Sequence, residues 1–363
     1  MRVLVVNAGS SSLKLRLLDG ENATVGSAEL PANTDGFDTG QLADVLHGWG
    51  EPDVVGHRFV HGGTSFTGPV LVDGPVRDEL ERLTDLAPLH QPKSLAGLDA
   101  VGAQLSDIPA VACFDTAFHT TIPAAAATYA VPPEWRERYG IRRYGFHGLS
   151  HAYCSRRAAT LLDRSPQGLR VVSCHLGAGA SLTAVVDGRS VDTTMGFTPL
   201  EGLVMATRSG TVDPGMVLWL QEHAQLSAAD VSAALVQRSG LAALAGTPDM
   251  RAVVEAAGRG DVDATLALDV YVHRLVAAVA AMTATAQGLD VLAFTGGVGE
   301  HAPEVRRRAA QRLGFLGVAI DPHRNENALD DAEISAADAT VRTLVITARE
   351  DLQIAAEARR LTS

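Results

Sequence analysis

A short hairpin at the start of the chain, echoed nearly half a chain later, restricts the fold more than any other feature. Residues 3–6 are an apolar run that stops at Asn7, and small residues follow through Ser12. Leu13, Leu15 and Leu17 then alternate with Ser12, Lys14 and Arg16. Alternation with a period of two marks a strand with one buried face. The segment therefore reads as a β-hairpin with a glycine- and serine-rich tip, and Lys14 shares a face with Ser12. Backbone N–H groups, hydroxyls and a lysine on one side suit a phosphate, although a polar tip on an ordinary hairpin has the same look. Residues 170–188 repeat the pattern: Arg2 and Arg170, Gly9 and Gly177, Asp19 and Asp187, and Gly20 and Gly188 match at one offset. After the turn the apolar phase slips by one residue. A hairpin repeated in this way predicts duplicated domains, each opening with a hairpin whose tip faces a cleft between them. The boundaries are expected at 1–148 and 149–350, with a final helix packing back on the first domain.

The rest of the chain alternates strand-like and helical segments, which predicts α/β architecture. Strands are expected at 54–61, 110–114 and 291–294, and helices at 76–86, 94–105 and 150–162. A glycine turn at 295–300 precedes a helix with Pro303 in its first turn, where the missing N–H costs little. A strand, a glycine turn and a helix start can hold a nucleotide phosphate or ribose, and they are also a generic tight connection. Residues 192–215 form a long, weakly periodic stretch, too apolar for disorder, and read as a packed loop presenting Arg208.

The formal charge of −12 argues against a nucleic-acid surface or an anionic membrane as partner. Cys113, Cys154 and Cys174 form no CxxC pair and read as buried thiols in a reducing compartment. The N-terminal apolar run is too short for a signal peptide. The longest apolar stretch, residues 275–286, falls short of the ~20 residues a membrane span needs. A soluble, cytoplasmic protein is expected.

Several polar residues sit where chemistry is plausible. Arg58 lies on a strand that is apolar on both faces, so it needs an anionic partner. Asp115 follows a buried strand, where it could cap a turn or act in a site. His147 and His151 are four apart, but Gly148 stands where a zinc protease needs glutamate, and zinc is not expected. Glu350 and Asp351 follow a buried strand and read either as a helix start or as metal-facing carboxylates.

The ordered set NAGSSSLK, GHRFVHGG, LAPLHQP, FDTAFH, RYGFHGLSH, CHLGAGAS, DTTMGFTPLEGL, FTGGVGE and TAREDL resembles the acetate kinase family along essentially the whole chain. The resemblance implies two ribonuclease-H-like domains of the actin and hexokinase type. It implies reversible phosphoryl transfer between ATP and acetate, giving acetyl phosphate and ADP, in a homodimer using Mg²⁺, with Mn²⁺ as the alternative ion. Asp115, His147 and Arg208 would then be catalytic. Arg58 would bind the carboxylate, and Val60, Leu89, Phe146 and Pro199 would line the methyl pocket. Lys14, His175, Leu176, Gly177, Ala178 and Gly179 would meet the nucleotide, with Asp249, Met250, Arg251, Gly297, Val298, Gly299, Glu300 and His301. Asn7 and Glu350 would be linked to the metal. The chain departs from the usual pattern at Ala178, His301, Leu149, Ala206 and the TARED segment, and its first part is shortened. These changes bear on the phosphoryl donor and keep pyrophosphate in view. Propionate or butyrate kinase is the alternative within the family, and an actin-like ATP-binding protein is the alternative outside enzymes.

Overall fold

A computed structural model describes residues 1–9, 12–33, 36–88 and 90–363. It divides the chain into two compact units. The first comprises Met1–Thr120, Phe146–Tyr153 and Arg349–Ser363; the second comprises Thr121–Gly145 and Cys154–Ala348.

The first unit is built on seven strands: β1 (Val3–Ala8), β2 (Ser12–Leu18), β3 (Thr24–Asn33), β4 (Gly36–Phe37), β5 (Val54–Phe59), β6 (Val70–Leu71) and β7 (Ala110–Phe114). Their order across the sheet is β4-β3-β2-β1-β5-β7-β6. The central strand β1 pairs antiparallel with β2 and parallel with β5, which is parallel to β7. Leu4, Val6 and Ala8 point into one core with Leu13, Leu15 and Leu17, while Val3 and Val5 point into another on the opposite face. Burial on both faces explains why β1 reads as an unbroken apolar run. The helix Gln91–Gln104 starts with Pro92 in its first turn and buries Leu95, Leu98 and Val101. The final helix Glu350–Thr362 carries acids in its first turn and arginines in its last, matching its dipole. It buries Ile354, Ala355 and Ala358 against the second core.

The second unit has six strands: β8 (Arg170–Leu176), β9 (Ala180–Val186), β10 (Arg189–Thr193), β11 (Val291–Thr295), β12 (Ala332–Glu333) and β13 (Arg342–Val345). Their order is β10-β9-β8-β11-β13-β12. Strand β9 runs antiparallel to both β10 and β8, and β8, β11 and β13 are parallel. The run β3-β2-β1-β5-β7 of the first unit has the same order and directions. Both units are therefore ribonuclease-H-like, and the repeated sequence hairpin is a repeated structural one. The slipped apolar phase has a physical cause. Ala8 pairs with Leu13 across a tip of four residues, whereas Leu176 pairs with Ala180 across a tip of three. The shorter tip moves the return strand by one position, so Val171 faces Val185.

Three local expectations change. Residues 76–86 are a helix, Gly74–Arg82, followed by a 3₁₀ turn, Leu83–Leu86. The glycine turn at 295–300 is helical, Gly296–His301, and Pro303 begins a second helix, Pro303–Arg312. The apolar residues near 275–286 belong to a 24-residue helix, Val262–Thr285. Among the described residues it is the one helix long and apolar enough to cross a membrane by length and composition. It is amphipathic in place: Leu268, Val272, Leu275 and Val279 are buried while Leu266 is exposed. Periodicity read over the C-terminal half alone underestimates its length because the preceding turns carry Asp263, Asp269 and Arg274.

Candidate active site

In the first unit, β1, β5, β7 and the final helix bring Asn7, Arg58, Asp115 and Glu350 around one guanidinium. Arg58 donates Nε and Nη2 to the two Asp115 carboxylate oxygens at 3.1 and 2.6 Å. Its Nη1 donates to the Asn7 amide oxygen at 3.2 Å, and Glu350 lies 3.7 Å from Nε. The fork on Asp115 uses one edge of the guanidinium and leaves the Nη1 edge beside a neutral amide. Asp115 is 1% exposed, and the Arg58 guanidinium offsets the cost of burying its charge. Burial opposes the charge on Arg58, and Asp115 and Glu350 more than offset it, raising its pKa.

Three buried histidines flank this cluster. Burial lowers His57 to about 3, against the pull of Asp99. It lowers His61 to about 4. It also lowers His119 to about 4, against a hydrogen bond to the Phe146 carbonyl at 3.0 Å. Unfolded histidines titrate near 6.5. Between about pH 4 and 6.5 the unfolded chain therefore binds more protons than the folded one. Stability is full above that window and falls as the pH drops through it, by up to ~1.4 kcal/mol per pH unit for each histidine. The urea midpoint of the protein is expected to fall steeply from pH 6.5 to pH 5. His57→Leu is expected to flatten that slope; an unchanged slope would remove His57 from the account.

His147 takes a left-handed backbone at φ 56° and precedes the helix Gly148–Leu161. The Gly148 N–H donates to the Asp115 carbonyl at 2.8 Å. A Cβ on Gly148 would overlap that carbonyl and come within 2.9 Å of Phe118 Cβ. Glycine is thus what lets the backbones of His147 and Asp115 meet. Gly148→Ala is expected to cost about 1–3 kcal/mol through overpacking, read as a lowered urea midpoint, and to reduce turnover by shifting both residues.

The remaining predicted residues of the first unit are less uniform. Val60 and Phe146 are buried, and the Phe146 ring meets His61 edge-on at 5.5 Å. Lys14 is exposed, paired with Glu29 at 3.8 Å, and Ser12 donates to the same carboxylate at 2.5 Å. Ser10, Ser11 and Leu89 lie outside the described residues.

The second unit contains a cavity of about 690 Å³. Eight predicted nucleotide residues line it: Gly177, Ala178, Asp249, Met250, Arg251, Gly297, Val298 and His301. Asp249 also caps the helix Met250–Gly258 by accepting from the Arg251 N–H. His175, Leu176, Gly179, Gly299 and Glu300 do not line the cavity. Leu176 is buried at the end of β8, and Gly179 accepts the Gly177 N–H across the tip. Glu300 accepts the Ala348 N–H at 3.0 Å. Arg208 donates to the Pro199 carbonyl at 3.0 Å, and its Nη1 lies 3.9 Å from the Met205 sulfur. No carboxylate pairs with it among the described residues, and desolvation lowers its pKa.

One structural residue of this cavity was not anticipated. Arg306 is 1% exposed and donates to the carbonyls of Gly299 and Glu300 at 2.8 Å and to Asn325, fixing the helix that bears Gly297 and His301. Burial lowers its pKa to about 10. In sequence, RRR looks like a solvated helix face. The signal lay in its spacing, because Val305, Arg306, Ala309 and Ala310 share one helical stripe.

Comparison with known proteins sets this chain in a family. The family model described as the Acetokinase family matches residues 41–356. The acetate kinase of Trichormus variabilis is 49% identical over 317 residues, spanning 87% of this chain and 76% of that one. The crystal structure of Porphyromonas gingivalis acetate kinase superposes with a TM-score of 0.91 at 34% identity, covering all of both chains. A propionate kinase from Francisella tularensis superposes with a TM-score of 0.93 at 35% identity over 99% of each chain.

Proposed function

This chain belongs to the acetokinase family, and from that membership we propose that it moves a phosphoryl group reversibly between ATP and acetate, by direct in-line transfer. Membership makes it a phosphotransferase with a carboxyl group as acceptor. The observation that carries the detailed reading is the Arg58 guanidinium, steered by Asp115 so that its Nη1 edge stays beside Asn7. That edge takes the acetate carboxylate. Acetate is already ionised at neutral pH, so Asp115 has no proton to remove and serves to orient Arg58.

The chemistry must bring two anions together. At ~4 Å their repulsion is about 1 kcal/mol in water and about 4 kcal/mol at an effective dielectric of 20. Arg58 and Arg208 offset it. Arg208, desolvated and without a carboxylate partner among the described residues, is suited to charge spreading over the equatorial phosphoryl oxygens. In the first unit His147 offers a hydrogen-bond donor for a phosphoryl oxygen. The cavity of the second unit holds the nucleotide. Asn7 and Glu350 offer an amide and a carboxylate oxygen, a hard donor set that fits a Mg²⁺ ion keeping part of its water shell. When bound, that ion neutralises phosphate charge. Val60 and Phe146, both buried in the first unit, would face the methyl group. The same reading includes a cytoplasmic location and a homodimer.

Hydroxylamine trapping tests the proposal. Acetate, ATP and Mg²⁺ are expected to yield acetohydroxamate. Its absence with ATP, GTP and pyrophosphate alike would overturn the reading. One methylene in an apolar pocket is worth only ~1–3 kcal/mol, so the same assay with propionate and butyrate ranks the acids.

A further inference from the structure

Among the described residues the one oxygen that the Arg208 guanidinium reaches is the carbonyl of Pro199, which lies in a loop with no regular structure between Thr193 and Pro214. The position of the guanidinium therefore depends on what fixes that loop. The answer lies in the same unit. Arg143 reaches both ends of the segment 194–201 with one guanidinium. Its Nη1 donates to the carbonyls of Thr194 and Met195 at 3.2 and 3.1 Å, and its Nη2 donates to Glu201 at 2.8 Å. The second oxygen of Glu201 accepts from the Tyr129 hydroxyl, which in turn accepts the Phe197 N–H at 3.1 Å. The Gly196 carbonyl takes the N–H groups of Tyr144 and Gly145 at 3.0 and 3.3 Å. A Cβ on Gly196 would overlap both Glu201 and the Tyr129 hydroxyl, so the loop backbone is seated directly on this cluster. The Arg143 guanidinium also lies over the Tyr129 ring at 5.4 Å.

We propose that Glu201, gripped by Arg143 and Tyr129, is a positioning residue that sets Arg208 through the Pro199 carbonyl. The proposal rests on the role given above to Arg208 in phosphoryl transfer. A rigid planar fork that spans both loop ends fixes the geometry in a way a single flexible contact cannot. Burial and the Glu201 hydrogen bond raise the pKa of Tyr129, which keeps its hydroxyl protonated as a donor. Displacing a transition-state group by ~1 Å can cost ~10²-fold in rate.

The test uses Glu201→Gln and Tyr129→Phe in the full chain, alone and combined with Arg208→Ala, with circular dichroism and urea midpoints as folding checks. Each single variant is expected to lower kcat by about 10- to 100-fold while the KM values for ATP and acetate move by less than about threefold. In the Arg208→Ala background neither is expected to lower kcat further, because the group they position is gone. Losses that multiply with Arg208→Ala, or a full kcat in the single variants, would overturn the positioning role while leaving the proposed reaction intact. If Arg208→Ala itself keeps its kcat, the positioning role falls together with the function of Arg208. Should Glu201→Gln fail to fold, Tyr129→Phe carries the same comparison, since it removes one hydroxyl and keeps the ion pair.

Discussion

Arg208→Ala is expected to lower kcat by about 10³-fold while the KM values for acetate and ATP change by less than about threefold, in steady-state assays of either direction. The size follows from the charge problem. An arginine acting on the equatorial oxygens in phosphoryl transfer is worth ~10³–10⁵ in rate, and 10³ corresponds to about 4 kcal/mol of barrier. The direction follows from the setting of Arg208 in the second unit. Its hydrogen bond goes to a neutral carbonyl and no carboxylate pairs with it among the described residues, so its charge is desolvated without compensation. A ground-state ion pair would have spent that charge already. The same reasoning predicts that the substitution leaves the urea midpoint unchanged or slightly raised, because an uncompensated charge is removed. A KM effect without a kcat effect would assign Arg208 to binding alone. Arg208→Lys is expected to recover only a minor part of the loss, since an ammonium lacks the planar fork.

How much of this was legible before the structure depends on the kind of signal. The hairpins were, because alternation of Leu13, Leu15 and Leu17 with polar neighbours is a direct consequence of strand geometry, and the one-residue slip in the second copy was visible as a phase change. Its cause, a tip shorter by one residue, needed the strand register. The half-buried arginine on β5 was also legible, because a charge among Val54, Val55 and Phe59 demands a partner, and Asp115 was available at the end of another buried strand. The residues that hold the loops were not. Tyr129, Arg143 and Glu201 are dispersed in sequence and individually ordinary, and their meaning comes from meeting at both ends of one loop. Arg306 was hidden for the opposite reason, as the first of three consecutive arginines that look alike in sequence. The glycine turn after β11 was misread as irregular because glycine disfavours helix, yet Gly296–His301 is helical, pinned at its end by that arginine.

Arg58→Ala is expected to damage stability and activity together, and the two effects are separable. Removing the guanidinium leaves Asp115, 1% exposed, without its charge partner. Breaking a buried pair from one side costs about 3–5 kcal/mol, a large share of the 5–15 kcal/mol that stabilises an ordinary domain. The urea midpoint of Arg58→Ala is therefore expected to fall, and the loss to shrink at low pH, where the Asp115 carboxylate, no longer beside the guanidinium, can take up a proton. Acetate would lose its cation, so its KM is expected to rise by at least about 10²-fold, as for a lost charge-assisted contact of about 3 kcal/mol. The double variant Arg58→Ala/Asp115→Ala removes both charges and is expected to regain most of the stability, since the buried carboxylate goes together with the guanidinium. It is expected to regain none of the affinity for acetate, because the Nη1 edge beside Asn7 does not return. If the double variant were as unstable as the single one, packing of the arginine stem rather than the ion pair would hold this part of the first unit. If the double variant bound acetate normally, the carboxylate site would have to lie elsewhere in the chain.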